Sequence, residues 1–202
     1  MAADTAALIE ALGLAPCRLV GLSLGGSIAE EVCTTRPDLV RAAVLWASAG
    51  RTPAFMRYKA QANRDIMIDA TPPPSWFVAE VLTIALPFDV LQNDDSTVEI
   101  VAALLADESP WSGDGRAGQI AADVAHQLTD EERAQRWPSI GCPCLVVAHE
   151  HDLLFPPRAG RAAAGAMPHG EFITIPGVSH GQVQEAAGTV KTAVLEFFAR
   201  TS

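Results

Sequence analysis

Two lysines, one tyrosine and four cysteines are few for a chain of 202 residues, and each scarcity excludes something. Basic residues number 14 against 24 acidic ones, leaving a net charge of −10. No Lys/Arg run offsets that charge, so a phosphate backbone would be repelled and nucleic-acid binding is not expected. No apolar run approaches the roughly 18–20 residues of a membrane span, so no membrane-embedded role is expected. Met1-Ala-Ala-Asp-Thr5 lacks the basic start of a secretory signal. Four cysteines cannot staple a chain this long, which points to a reducing cytoplasm. Cys17 and Cys33 sit in apolar segments, and Cys142 and Cys144 flank Pro143 with no second Cys/His pair at zinc spacing. All four read as core thiols, the alternative being a metal site; no cofactor is expected.

What is present is a globular balance, 49% hydrophobic and 19% charged, at the length of one domain. Short apolar runs alternate with helical patterns. Residues 4–12 read as a helix capped by Asp4, with Gly13 suited to the left-handed position after it. Strands are expected at Cys17–Leu22, Arg41–Ala47, Cys144–Ala148 and Glu171–Ile175. Helices are expected at about 26–35, 157–166 and 182–199. Apolar strands alternating with helices imply an α/β fold: a mostly parallel four-stranded sheet covered on both faces.

The stretch between the second and third strands is far longer than an ordinary crossover. Two helices are expected in it, at 75–86 and 96–106, then a Gly-rich loop at 109–118 carrying Trp111 and a further helical stretch over 119–136. Residues 52–127 read as a helical cap inserted over the C-terminal rim of a single domain spanning 1–202; the alternative is that these helices cover a sheet face. Phe55, Met56, Trp76 and Trp111 would then line a pocket for a small, largely apolar molecule.

Chemistry concentrates at Gly21-Leu-Ser23-Leu-Gly25-Gly26, between the first strand and the next helix. A serine hydroxyl is a poor nucleophile unless it is exposed, oriented and served by a base. A tight strand-to-helix turn lifts Ser23 out of the sheet. Glycines two residues to either side are expected where a Cβ would collide across the turn. The helix that follows aims its free N–H groups at the site, and that of Leu24 becomes an oxyanion donor.

An acid and a base should follow in that order. Asp152 lies just past the third strand in Ala148-His-Glu-His-Asp152, and His180 just past the fourth in Gly177-Val-Ser-His180. Both emerge at the rim that carries Ser23. His180 would take the hydroxyl proton, and Asp152 would fix its tautomer and stabilise the imidazolium. His149 and His151 precede the acid and are candidates to line the pocket; His126 and His169 read as a cap residue and a surface-loop residue.

With these residues in place, the chain resembles the α/β-hydrolase family, near its bacterial enol-lactonase, carboxylesterase and menaquinone-pathway members. The resemblance runs from Ala6 to Phe198 and is carried by Ala7-Leu-Ile-Glu-Ala-Leu-Gly-Leu14, the Ser23 turn, Arg36-Pro-Asp-Leu-Val-Arg-Ala-Ala-Val-Leu45, the Asp152 loop and Gly177-Val-Ser-His180. It implies Ser23, Asp152 and His180 as nucleophile, acid and base. The acid loop departs from it, with Ala148 and His149 where the family usually has a glycine. So does the front of the chain: the family's preceding strands and the His-Gly loop that completes its oxyanion hole have no counterpart here.

The resulting expectation is a serine hydrolase of a small ester, thioester or lactone. The alternatives are a cyclase, dehydratase or lyase-type enzyme of secondary metabolism using the same residues, and a non-catalytic ligand-binding relative. The strand at 17–22 becomes a sheet edge with few charges and no proline, which leads to the expectation of a homodimer joined through it.

Overall fold

A computed structural model describes residues 1–50, 53–67, 75–106, 113–125 and 128–201. The sheet has four strands, β1 (Cys17–Leu22), β2 (Val40–Trp46), β3 (Cys144–His149) and β4 (Gly170–Ile175), in spatial order β1-β2-β3-β4. Every pairing is parallel, as a strand–helix alternation requires.

Side chains alternate across this sheet with the period of two that a strand imposes. Ala43, Leu45, Cys144 and Val146 face one layer, built from Ala6 and Ile9 of α1 (Ala2–Ala11), Ala29 and Val32 of α2 (Leu24–Thr35), and Ala163 of α9 (Pro157–Ala166). Ala42, Val44, Leu145 and Val147 face the other, closed by Ala186, Val190 and Phe197 of α10 (Val183–Arg200). Phe197 is fully buried there, and truncating such a ring to alanine costs about 3–5 kcal/mol. Every residue of β3 is buried, whereas β1 and β4 each carry two exposed residues. That is the pattern of two central and two edge strands. On β1, Val20 is half exposed, and Arg18 lies over the Phe198 ring while donating to the Phe198 carbonyl at 3.1 Å.

Differences from the sequence-based expectation have local causes. Asp4 lies inside the first turn of α1 rather than ahead of it, and its carboxylate pairs with the Met1 amine at 2.7 Å. Gly13 does take a positive φ, 62°, just past that helix. Between β2 and β3 the structure holds six α-helices among the described residues: α3 (Ala54–Met67), α4 (Ser75–Ala85), α5 (Phe88–Asn93), α6 (Asp95–Ala106), α7 (Gly113–Ala125) and α8 (Asp130–Arg136). The sequence patterns indicate α4 and α6; α5 spans only 6 residues, and α3 is polar on average although its apolar residues share one face.

Residues 113–118, expected in a loop, form the start of α7, which packs against α3. That contact overrides a helix cost near 1 kcal/mol for each internal glycine. The single stretch expected at 119–136 is split, because Thr129 caps α8. Its hydroxyl accepts from the Glu132 N–H at 3.1 Å, and the Glu132 carboxylate accepts from the Thr129 N–H at 2.7 Å. No helix among the described residues is long and apolar enough to cross a membrane.

Candidate active site

Ser23 occupies the junction of β1 and α2 with φ 50° and ψ −120°, a conformation that L residues adopt at a cost of order 1–3 kcal/mol. The turn is held from both sides. The Ser23 N–H donates to the Trp46 carbonyl at 2.9 Å, and the Ser23 carbonyl accepts from Gly26 and Ser27 at 2.9 and 3.2 Å. A Cβ on Gly21 would stand 2.2 Å from the Gly25 carbonyl oxygen, so no side chain fits there. Gly26 is equally constrained, since its Cβ would lie 1.9 Å from Ser48 Oγ, a neighbour on the loop after β2. Gly25, however, faces open space: a Cβ on it would meet nothing within 4 Å. The expected symmetric pair of sterically required glycines is thus corrected to Gly21 and Gly26.

Two further side chains come to Ser23 from the ends of β3 and β4. Ser23 Oγ lies 2.9 Å from His180 Nε2, and His180 Nδ1 lies 2.8 Å from Asp152 Oδ2. The other Asp152 oxygen accepts the N–H groups of Leu154 and Phe155 at 2.8 and 2.9 Å, inside a carboxylate that is fully buried. An ionised carboxylate only accepts, so the His180 proton sits on Nδ1 and the Nε2 lone pair faces the serine hydroxyl. Leu24 is the first residue of α2, where a backbone N–H has no intrahelical acceptor.

The loops that carry the acid and the base are stitched to each other. Glu150 N–H donates to the Ile175 carbonyl and His151 N–H to the Val178 carbonyl, both at 2.9 Å. The Gly177 N–H returns a bond to Glu150 Oε2 at 2.8 Å, and Ser179 Oγ donates to the His151 carbonyl at 3.2 Å. His151 itself is exposed and contributes through its backbone. His149, a candidate pocket residue from its position, is instead fully buried. Its Nδ1–H donates to the Ser179 carbonyl at 2.7 Å, and its Nε2 accepts the Trp46 indole N–H at 2.7 Å. Burial pushes the His149 imidazole below its ordinary value, against the opposing pull of the Ser179 carbonyl and Asp152.

Residues that motif reading missed complete the surroundings. The Phe155 ring stands 5.9 Å from that of His180, and the Gly181 N–H donates to the Ala85 carbonyl at 3.1 Å, bringing the end of α4 to the base. A cavity of about 340 Å³ opens beside Leu24, between Ser27, Ile28 and Ala122. Of the expected pocket residues, Phe55 and Trp76 are about half exposed and Met56 is half-buried. Trp76 packs edge-on against Phe77 within α4. Trp111 and His126 lie outside the described residues, and His169 is exposed on the turn before β4.

The cysteines converge more than their spacing suggests. Cys33 of α2 meets Cys142 and Cys144, so that three Sγ atoms lie within 4.8 Å of one another and could hold a metal ion. Both sequence readings, packed core thiols and a metal site, are compatible with this cluster.

Comparison with known proteins agrees with this fold. A protein of Mycobacterium tuberculosis with the provisional name non-heme bromoperoxidase BpoC is 34% identical over 200 residues, covering 98% of this chain and 74% of its own length. Its crystal structure superposes with a TM-score of 0.85 over 100% of this chain and 74% of that one. Two others share the fold: an esterase from Thermogutta terrifontis (TM-score 0.78, 22% identity, 99% of this chain and 71% of that one) and the enol-lactonase of Burkholderia xenovorans LB400 (TM-score 0.76, 19% identity, 98% and 71%). Residues 1–192 match the profile described as the alpha/beta hydrolase family. A parallel sheet with this serine turn, over that length and at that identity, has one reading: the chain belongs to the alpha/beta hydrolase family.

Proposed function

We propose that the protein hydrolyses a small, largely apolar ester, thioester or lactone through an acyl-Ser23 intermediate. The observation that carries this reading is the unbroken relay from Ser23 Oγ to His180 (2.9 Å) and on to Asp152 (2.8 Å), at a strained turn facing a free helix N-terminus. In this mechanism His180 Nε2 removes the hydroxyl proton as Oγ attacks the carbonyl carbon. The oxyanion that forms turns toward the Leu24 N–H. Collapse expels the alkoxide or thiolate, which leaves with the proton from His180. Water then enters, gives its proton to the same imidazole and releases the acid from Ser23. Phe155 beside His180 favours an apolar acyl or leaving group.

A panel of chromogenic short-chain esters, thioesters and lactones tests the reaction class. Turnover of at least one type should show a first rapid release of one leaving group per chain when deacylation is the slower step. The Ser23→Ala variant should show neither that release nor turnover above the uncatalysed rate. Equal turnover by wild type and Ser23→Ala would overturn the proposal.

A further inference from the structure

Three thiols gather at the end of the sheet opposite Ser23. Cys144 opens β3, whose other end leads to Asp152, and Cys142 precedes it by two residues. Cys33 reaches them from α2, the helix that begins beside Ser23, although it is 109 residues from Cys142 in sequence. Cys33 and Cys144 are buried and Cys142 is half-buried, and none is in a disulfide. The Cys33 and Cys142 sulfurs are 3.8 Å apart, and all three lie within 4.8 Å of each other.

Sulfur spacing separates a metal site from a packed apolar corner. A zinc–thiolate bond is about 2.3 Å long, so two sulfurs on one tetrahedral zinc are held about 3.8 Å apart. The Cys33–Cys142 distance already has that value, and the third sulfur needs to move by no more than about 1 Å to share it. We propose that Cys33, Cys142 and Cys144 bind one Zn²⁺ ion as thiolates, with the fourth position filled from the solvent side of half-buried Cys142. Binding releases three thiol protons, and the three sulfur–metal bonds leave the group with a single negative charge. The site lies at the far end of the sheet from the Ser23 relay, so its role is to tie α2 to the start of β3. These are the two elements that position the nucleophile and the acid. The ligand set is not legible as a zinc motif because its members come from a helix and a distant strand rather than from one short loop.

Metal analysis of the full chain purified after growth with added zinc tests the site, with Co²⁺ titration of the metal-stripped protein as the spectroscopic probe. The expected result is one zinc per chain. Co²⁺ should give the intense near-ultraviolet absorption of cobalt–thiolate bonds and the visible bands of a tetrahedral ion. Cys142→Ser, a nearly isosteric change at the half-buried ligand, should weaken binding by more than about 100-fold, beyond the loss from an outer-shell partner. Ser23→Ala should bind as tightly as wild type. Zinc should also raise the melting temperature of wild type but not of Cys142→Ser. Substoichiometric zinc that desalting removes, or binding unchanged in Cys142→Ser, would overturn the proposal. So would a purified chain lighter by two hydrogens with Cys33 and Cys142 joined in a disulfide.

Discussion

Asp152 meets His180 at 2.8 Å through one carboxylate oxygen while the backbone of Leu154 and Phe155 holds the other. The His180 ring is therefore held by a carboxylate whose other oxygen is fixed by two backbone N–H groups. Asp152→Asn keeps the shape but can present an N–H to His180 Nδ1, turning the donor side of the imidazole toward Ser23. Turnover should fall by about 10³–10⁴-fold while the circular-dichroism melt stays close to wild type. A loss below tenfold would contradict an orienting role.

The glycines of the serine turn should separate sharply on substitution. Gly21→Ala forces a methyl into the Gly25 carbonyl and should cost at least about 1–3 kcal/mol in urea denaturation, with loss of turnover. Gly25→Ala adds a methyl to open space within α2 and should be neutral or up to about 1 kcal/mol stabilising, with turnover retained. Equal damage at both positions would show that the steric account of the turn is wrong.

His149 should make stability depend on pH in one direction. Its folded pKa is depressed by burial, so between that value and the unfolded value near 6.5 the unfolded chain binds the extra proton. Its contribution is complete above about pH 6.5 and is lost as pH falls toward the folded pKa. Thermal melts at about pH 7.5 and about pH 5.5 should show a decline in wild type that is smaller in His149→Gln. An identical decline in both would assign the pH dependence to other groups.

If two copies pair through β1, as its sequence leads one to expect, light scattering should give a mass near twice 21.3 kDa. A mass of one chain at the same concentration would contradict that pairing.

Much of this site was legible in the sequence because its signals are local. The run Cys17–Leu22, the glycines after it and the helical pattern to Thr35 define one strand–turn–helix unit, and the structure reproduces it almost residue for residue. Asp152 and His180 were legible for the same reason, each a few residues past an apolar strand. What stayed hidden depends on distant neighbours. Gly26 is constrained by Ser48, which no spacing within the turn reveals. His149 carries a charged-looking label into a fully buried position, and only its Trp46 and Ser179 partners explain why it is tolerated there. The cysteine cluster joins segments 109 residues apart. The helix α3 is polar on average and packs against α7, a contact between segments that look independent in the sequence.

The most direct test of the account is labelling with a fluorophosphonate, which reacts with a serine only when that serine is activated by a base. Intact-mass and peptide analysis should find one adduct per chain, on Ser23, and none on His180→Ala or Ser23→Ala. A folded wild-type chain that remains unlabelled, or carries its adduct on another residue, would contradict the claim that Ser23 is the nucleophile.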